Sequence, residues 1–175
     1  MIGYTVRQQM SAGVATCAMA LAGCQSVPPP PPPLAELATE AAQLALSTCL
    51  EAGFATTVLV TDANGRSVAM LSADGANPRT HQIAPTKIAI VRKYGVPSSQ
   101  IATRVDSDAT LAADIAADPE IGTARGGALP IEVDGAIIAI IAVSGAPSGA
   151  QDELCAEPAV RLVLTRMSAE AGEVR

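Results

Sequence analysis

The chain has 175 residues and a formal net charge of −6 at pH 7; 49% of its residues are hydrophobic and 16% are charged. This is the composition of a chain that folds rather than of a disordered one. The acidic balance opposes binding to a phosphate backbone, and the few aromatic residues, Tyr4, Phe54 and Tyr94, provide no platform for stacking bases. We therefore expect no nucleic-acid partner.

The first residues have the order of a secretory signal. Arg7 precedes a short apolar stretch, Met10–Ala22, which is too short to span a bilayer as a mature helix. The sequence Leu21-Ala22-Gly23-Cys24 resembles a bacterial lipobox, which implies that Met1–Gly23 is removed and that Cys24 becomes the lipidated N-terminus. Gln25 then favours the outer membrane, with the protein facing the periplasm. The alternative is an ordinary signal peptide in which Cys24 is incidental.

A proline-rich segment separates this signal from the rest of the chain. Pro28–Pro33 is a run of six prolines, which forms a polyproline II rod of roughly 19 Å at ~3.1 Å per residue. We interpret residues 24–33 as a lipidated cysteine with a spacer, residues 34–167 as one folded domain, and residues 168–175 as a frayed tail.

Hydrophobic periodicity and turn residues predict the elements of the domain in chain order. They are a helix over Leu34–Ala52 stopped by Gly53, strands over Thr56–Thr61 and Ser67–Leu71 around an Asn64-Gly65 turn, a helix from about Ile83 to Gly95, a less defined helical region in which Ser107 or Asp108 is a candidate cap, a hairpin within Gly126–Gly145, and a last helix from Gln151 to about Met167.

The hairpin organises the predicted fold. Asp134-Gly135 is typical of a two-residue turn with positive φ, and Ile137–Val143 has no polar residue on either face. We therefore expect this second strand to lie inside a sheet that is covered on both sides. Hairpins with helices in separate blocks indicate an α+β fold with an antiparallel sheet.

Four segments in this order resemble the GlcG/HbpS-like family, also called the haem-degrading domain family, over about Leu34–Val163. They are Cys49-Leu-Glu-Ala-Gly53 with Asp62-Ala-Asn-Gly65; Asp74-Gly75-Ala76 with Lys87; Gly126-Gly127-Ala-Leu-Pro130-Ile131 with Asp134-Gly135; and Val143-Ser144-Gly145-Ala146 with Asp152-Glu153-Leu-Cys155-Ala156. The resemblance implies a profilin-like domain with N- and C-terminal helices packed on an antiparallel sheet, homo-oligomers, and haem as a ligand of some members.

The sequence departs from this family pattern in two places. Glycines often stand at the positions of Ala139 and Ala142 in the last strand. In periplasmic members a histidine often follows the proline of the Asp-Gly-Ala loop, whereas here Arg79 follows Pro78 and the histidine is His81.

We also predict a disulfide between Cys49 and Cys155. Cys17 leaves with the signal and Cys24 is blocked, so these two thiols remain in an oxidising compartment. The bridge can form if the first and last helices lie side by side, as in the family fold, and its long loop would give ~4–5 kcal/mol at most. The alternative is two buried free thiols.

His81 is the one histidine and the predicted axial ligand for a haem iron, with Arg79 or Lys87 at the propionates. We place it on a loop before a helix. The alternative is a surface or helix-capping histidine. Met70 is a candidate second ligand, although strand alternation equally explains it as a core residue.

Positive charges cluster in the middle of the chain. Five of them fall within Gly75–Arg104, a segment without Asp or Glu: Arg79, Lys87, Arg92, Lys93 and Arg104. Arg79 and Lys87 suit carboxylates, either of haem or of a small organic acid. The alternative is a solvated helix face that balances the acids of the next segment.

Three functions remain open from the sequence. The first is a lipid-anchored, non-catalytic haem-binding domain, the second an enzyme or enzyme accessory for a small organic acid, and the third a self-assembling structural module. No set of Ser, His and Asp residues or of closely spaced Cys and His residues indicates nucleophilic catalysis or zinc.

Overall fold

The computed structural model describes residues 34–172, so the predicted signal, Cys24 and the proline spacer lie outside the described residues. The elements are α1 (Leu34–Glu51), β1 (Thr57–Asp62), β2 (Ser67–Ser72), α2 (Thr80–Tyr94), α3 (Ser98–Arg104), α4 (Ala109–Ala117), β3 (Ala128–Val133), β4 (Ala136–Ser144) and α5 (Gly149–Gly172). None of the helices in this range is both long and apolar enough to span a membrane.

The four strands form one antiparallel sheet in the order β2-β1-β4-β3. The apolar strand β4 lies in its interior, as predicted, and pairs with β1 on one side and β3 on the other. Asp134 and Gly135 link β3 to β4 with φ angles of 51° and 78°, which is the backbone that a tight Asp-Gly hairpin requires. The predicted α+β fold with an antiparallel sheet is confirmed.

Helices α1 and α5 cover one face of the sheet. Alanines of both helices, among them Ala38, Ala42 and Ala159, pack with Val58 and Ile141 of the central strands. Small side chains let the helices approach closely. Cys49 and Cys155 join them in a disulfide with Cα atoms 5.3 Å apart and a sequence separation of 106. The predicted pairing is therefore confirmed.

Helix α2 covers the other face, where Ala84, Ile88 and Val91 pack on Leu59 and Ile140. A further apolar cluster, which includes Ile90, Ile101 and Ile115, ties α2 to α3 and α4. Asp108 caps α4 by accepting a hydrogen bond from the N–H of Leu111 at 2.9 Å. The sheet thus has a helix layer on each face, and α2 brings its first turns to the end of β4.

Two helices begin earlier than the sequence predicts. Helix α2 begins at Thr80 rather than near Ile83, because Asn77 accepts hydrogen bonds from Arg79 N at its side chain and from Thr80 N at its carbonyl. His81 therefore lies in the first turn of a helix and not on a loop.

Helix α5 begins at Gly149, next to the predicted cap: the Ser148 hydroxyl accepts from Gln151 N at 3.2 Å. It continues to Gly172, past the predicted end at Met167, so much of the expected tail is helical.

Candidate functional site

A cleft of about 510 Å³ opens where α2, the loop before β3 and the β4–α5 loop meet. We call it the α2–β4 cleft. It is lined by Asn77, Arg79, Thr80, Ile83, Lys87, Ala102, Ala124, Arg125, Gly126, Ser144, Gly145, Ala146, Pro147, Ser148, Gly149 and Asp152. Small-molecule sites usually occupy about 300–1,000 Å³, so this volume suits a small ligand.

A buried ion pair forms the base of the α2–β4 cleft. Lys87 Nζ donates hydrogen bonds to Asp152 Oδ2 at 2.6 Å and to the carbonyl of Val143 at 2.7 Å. The two charged side chains are only 3% and 4% exposed. Asp152 Oδ1 accepts from Ala146 N at 2.9 Å. The pair therefore ties α2 to the end of β4 and to the first turn of α5.

Burial works against both charges of this pair. Desolvation lowers the pKa of Lys87 below its ordinary value of 10.5, opposed by the attraction of Asp152. Desolvation likewise raises the pKa of Asp152 above its ordinary 3.8, opposed by Lys87 and by the Ala146 N–H. Because the two partners neutralise each other, neither adds a free charge to the cleft.

The wall beside the pair admits only glycine. Gly127 has a φ of 121°, and a Cβ there would meet Lys87 Nζ, with Val143 O at 2.7 Å and Asp152 Cβ at 2.9 Å. The Glu153 carboxylate holds the neighbouring backbone: Oε1 accepts from Gly127 N at 3.2 Å and from Ser99 N at 3.0 Å. The Gly126-Gly127 motif is therefore a packing requirement of this wall.

Two arginines and a serine give the cleft its polar character. Arg79 and Arg125 are exposed and form no ion pair with any other residue of the described range. Ser144 is only 3% exposed, and its hydroxyl makes no hydrogen bond to the described part of the chain. It lies on the α2 side of β4, because it continues the alternation of Ile140 and Ala142.

His81 lies outside the lining of the cleft, on the exposed first turn of α2. Its Nε2 is 2.8 Å from the Ser72 hydroxyl, and the hydrogen-bond chain continues through Thr57 to Thr80, each step 2.7–2.8 Å. Thr80 donates to the carbonyl of Asn77 at 2.5 Å.

The carbonyl at the end of this chain fixes its direction. A carbonyl only accepts, so Thr80 must donate to it, Thr57 to Thr80, and Ser72 to Thr57. Ser72 has then used its one proton and must accept from His81 Nε2–H. This assigns the proton of His81 to Nε2 and, in the neutral ring, leaves the lone pair on Nδ1.

The sequence matches the family described as "Haem degrading protein HbpS-like" over residues 34–161. A crystal structure of HbpS is 30% identical with a TM-score of 0.66, and the match covers 82% of this chain and 97% of that one. The chain belongs to the HbpS-like family. A double mutant of HbpS from Streptomyces reticuli is 29% identical with a TM-score of 0.66, and the match covers 88% of this chain and 98% of the mutant's.

A more distant HbpS-like fold is the PduOC:heme complex, which is 18% identical with a TM-score of 0.65 and covers 73% of this chain and 91% of that one. At this identity the likeness concerns the fold alone. The comparison with curated proteins gave no significant match.

In this HbpS-like domain, the residues predicted for the site divide into two groups. Arg79 and Lys87 line the same cleft, whereas His81 is bonded to Ser72 at the edge of the sheet. Met70 on β2 is 39% exposed and is therefore not a fully buried core residue. Among residues 34–172, no three His, Cys, Asp or Glu side chains are grouped to hold a metal ion.

Arg125, Ser144 and Asp152 line the cleft but were not predicted as site residues. A signal for them existed: Arg125 directly precedes the Gly126-Gly127 motif, and Ser144 and Asp152 belong to the last motif of the resemblance. Neither motif predicts that its residues lie close to Lys87 in the folded domain.

Proposed function

We propose that this HbpS-like protein binds haem and does so without catalysis. Two comparisons support haem as the ligand. The matching family is described as haem degrading, and the PduOC structure, which has the same fold, is a complex with heme. The observation that carries the proposal is the hydrogen bond between His81 Nε2–H and Ser72. Metal-ligating histidines characteristically donate their other ring N–H to a fixed partner, which orients the ring.

His81 therefore offers Nδ1 to the iron, from an exposed position that a flat ligand can reach. Arg79 is also exposed and precedes it by two residues, so it is our candidate for a propionate. Lys87 was predicted for the same role. Its ammonium is already paired with Asp152, so here it holds the wall of the α2–β4 cleft.

A haemin titration followed by absorption spectroscopy tests this proposal. We expect a Soret band on adding haemin to the wild-type domain, and a shifted band with about tenfold weaker affinity in His81→Ala. Gln82→Ala, which removes an exposed neighbour on the same helix, should behave like the wild type. An unchanged band in His81→Ala would reject His81 as the ligand.

Two further outcomes would reject the proposal more broadly. No spectral change in the wild type would remove haem itself. Consumption of a several-fold molar excess of haemin over protein, with a reductant and oxygen and faster than for haemin alone, would show turnover and would contradict the non-catalytic part.

We further propose that the protein is anchored through Cys24 in the bacterial envelope, facing the periplasm, with the outer membrane favoured by Gln25. The order of Arg7, the apolar stretch and Leu21-Ala22-Gly23-Cys24 supports this. More than one acyl chain gives stable attachment to a membrane. Cys24→Ser should change the mature mass and release the protein from membranes; if both stay as in the wild type, the anchor is rejected.

The predicted homo-oligomer is also part of this proposal. Light scattering after size exclusion, over a range of concentrations, should give a mass above that of one chain. A monomer at every concentration would contradict it.

A further inference from the structure

We propose that the α2–β4 cleft binds a small dicarboxylate, with Arg79 and Arg125 holding its two carboxylates and Ser144 at the floor. The site goes beyond the haem proposal, because Arg125 and Ser144 have no part in it. Arg79 alone is shared between the two.

The charge of the cleft favours an anion. Its lining carries the positive groups Arg79, Lys87 and Arg125 and one negative group, Asp152. Lys87 and Asp152 cancel each other at 2.6 Å, so the two guanidinium groups remain as the free charges. This surplus stands out in a chain of net charge −6. Focused positive charge in a concave site raises the local concentration of anions.

Two guanidinium groups favour a ligand with two carboxylates. A guanidinium pairs with a carboxylate through two parallel N–H···O bonds, which fixes orientation as well as charge. Arg79 comes from the N-terminus of α2 and Arg125 from the loop before β3, so the two belong to different walls. A ligand with an acidic group at each end can engage both walls.

Ser144 adds a polar group at the floor of the cleft. The residue is only 3% exposed and lines the cleft. In the described part of the chain its hydroxyl makes no hydrogen bond, and it is not among the fully buried side-chain atoms that lack a partner, so it faces the open space of the cleft. A hydroxyl in this position can donate a hydrogen bond to a carboxylate oxygen of the ligand.

The cleft is also held in one shape without a ligand. The Lys87–Asp152 pair fixes α2 against the β4–α5 loop. Glu153 holds α3 at Ser99 and the loop before β3 at Gly127. A site whose walls are fixed in advance loses less entropy on binding.

Isothermal titration calorimetry and NMR shifts of the domain, with succinate as the probe, test this site. We expect succinate to bind more tightly than acetate, and the uncharged analogue succinamide not to bind. Arg125→Gln should weaken succinate binding about tenfold, as should Ser144→Ala. Arg104→Gln is the matched control. It removes an exposed charge that lies outside the cleft and forms no ion pair with other described residues. The affinity of this variant for succinate should equal that of the wild type.

The outcomes separate this site from the haem proposal. Succinate binding that depends on Arg125 and Ser144 supports the site, whether or not haemin gives a Soret band. Haem binding lost equally in Arg125→Gln and His81→Ala would mean that the cleft holds propionates instead of a free acid, and would overturn the inference. Absence of succinate binding at millimolar concentrations, or equal losses in Arg104→Gln and Arg125→Gln, would overturn it as well.

Discussion

The two faces of the sheet are built on opposite principles. The face under α1 and α5 is a continuous packing of alanine, valine and isoleucine closed by the Cys49–Cys155 disulfide. The face under α2 is also apolar at its centre, but at the end of β4 it gives way to the buried Lys87–Asp152 pair and the α2–β4 cleft. One face buries apolar side chains, and the other buries charge beside them.

This difference separates stability from function. Alanine-rich packing and a disulfide add stability without needing a ligand. A buried ion pair is a poor source of stability compared with an apolar core, but it can position a site. The haem site and the dicarboxylate site proposed for this HbpS-like domain both lie on the α2 side.

The largest expected effect comes from removing one partner of the buried pair. Lys87→Met should lower the free energy of unfolding by about 3–5 kcal/mol, because it leaves the Asp152 carboxylate buried without its partner. Urea unfolding followed by circular dichroism measures this change. Lys93→Met, which breaks the more exposed pair with Asp118, is the control and should change the midpoint little.

A double variant tests the physical reason. Lys87→Met with Asp152→Leu removes both charges, so it should recover part of the lost stability. If the double variant is as unstable as the sum of the two single ones, the stranded charge is not the cause.

The opposite face should respond strongly to loss of its disulfide. Cys49→Ala with Cys155→Ala should lower the free energy of unfolding by about 2–4 kcal/mol, since the closed loop is long. Succinate affinity at the α2–β4 cleft should stay unchanged while the domain is folded. Adding a reductant should destabilise the wild type but not the double variant; equal sensitivity of both would show that the bridge is not formed in solution.

The buried pair also predicts how its contribution depends on pH. The pKa of Lys87 in the folded chain lies below 10.5, its ordinary value in the unfolded chain. Between these two pKa values the unfolded chain holds more protons than the folded one, so the free energy of unfolding rises with pH. The pKa of Asp152 in the folded chain lies above 3.8, its ordinary value in the unfolded chain. Between these two pKa values the folded chain holds more protons, so the free energy of unfolding rises as pH falls. Burial thus makes the pair contribute least where both groups are charged.

This dependence is measured as the difference in unfolding free energy between the wild type and the Lys87→Met, Asp152→Leu variant. We expect the free energy of unfolding of the wild type, relative to that of the variant, to be smallest near neutral pH and to increase towards both acid and alkaline pH. A maximum near neutrality would instead show that the attraction between the charges outweighs their burial.

Much of the apolar framework could be predicted from the sequence, because its signals are local. Asp134-Gly135 sets a turn by its own backbone preference, and the apolar Ile137–Val143 run indicates an interior strand before any partner is known. The disulfide required the resemblance, since nothing local shows that α1 and α5 lie side by side. The start of α2 was missed because Asn77 satisfies the first backbone N–H groups ahead of the apolar pattern.

The site was less predictable because its contacts are distant in sequence. Lys87 stands in a segment without acids and therefore reads as a cation free for a ligand, but Asp152, its partner, comes 65 residues later. The positive charge left for a ligand comes instead from Arg79 and Arg125. The Gly126-Gly127 motif beside Arg125 marks a special backbone, but it does not show that Arg125 lines the same cleft as Arg79. Local patterns identify groups that can act, and only the fold shows which of them are already paired.

The smallest expected effect comes from two neighbouring threonines on opposite faces. Thr56 is fully buried, its hydroxyl has no hydrogen-bond partner in the described part of the chain, and by the alternation of β1 it lies on the α1 and α5 side. Thr57 lies on the α2 side, where its hydroxyl bonds to Ser72 and Thr80.

Thr56→Val should raise the free energy of unfolding by about 1 kcal/mol, because valine has a similar shape and no hydroxyl to desolvate. Thr57→Val should lower it by about 1 kcal/mol, because it breaks the chain that orients His81. Thermal and urea unfolding of both variants measure the two signs. If Thr56→Val destabilises the domain as much as Thr57→Val, its hydroxyl has a partner in solution, and the face under α1 and α5 contains a polar contact of its own.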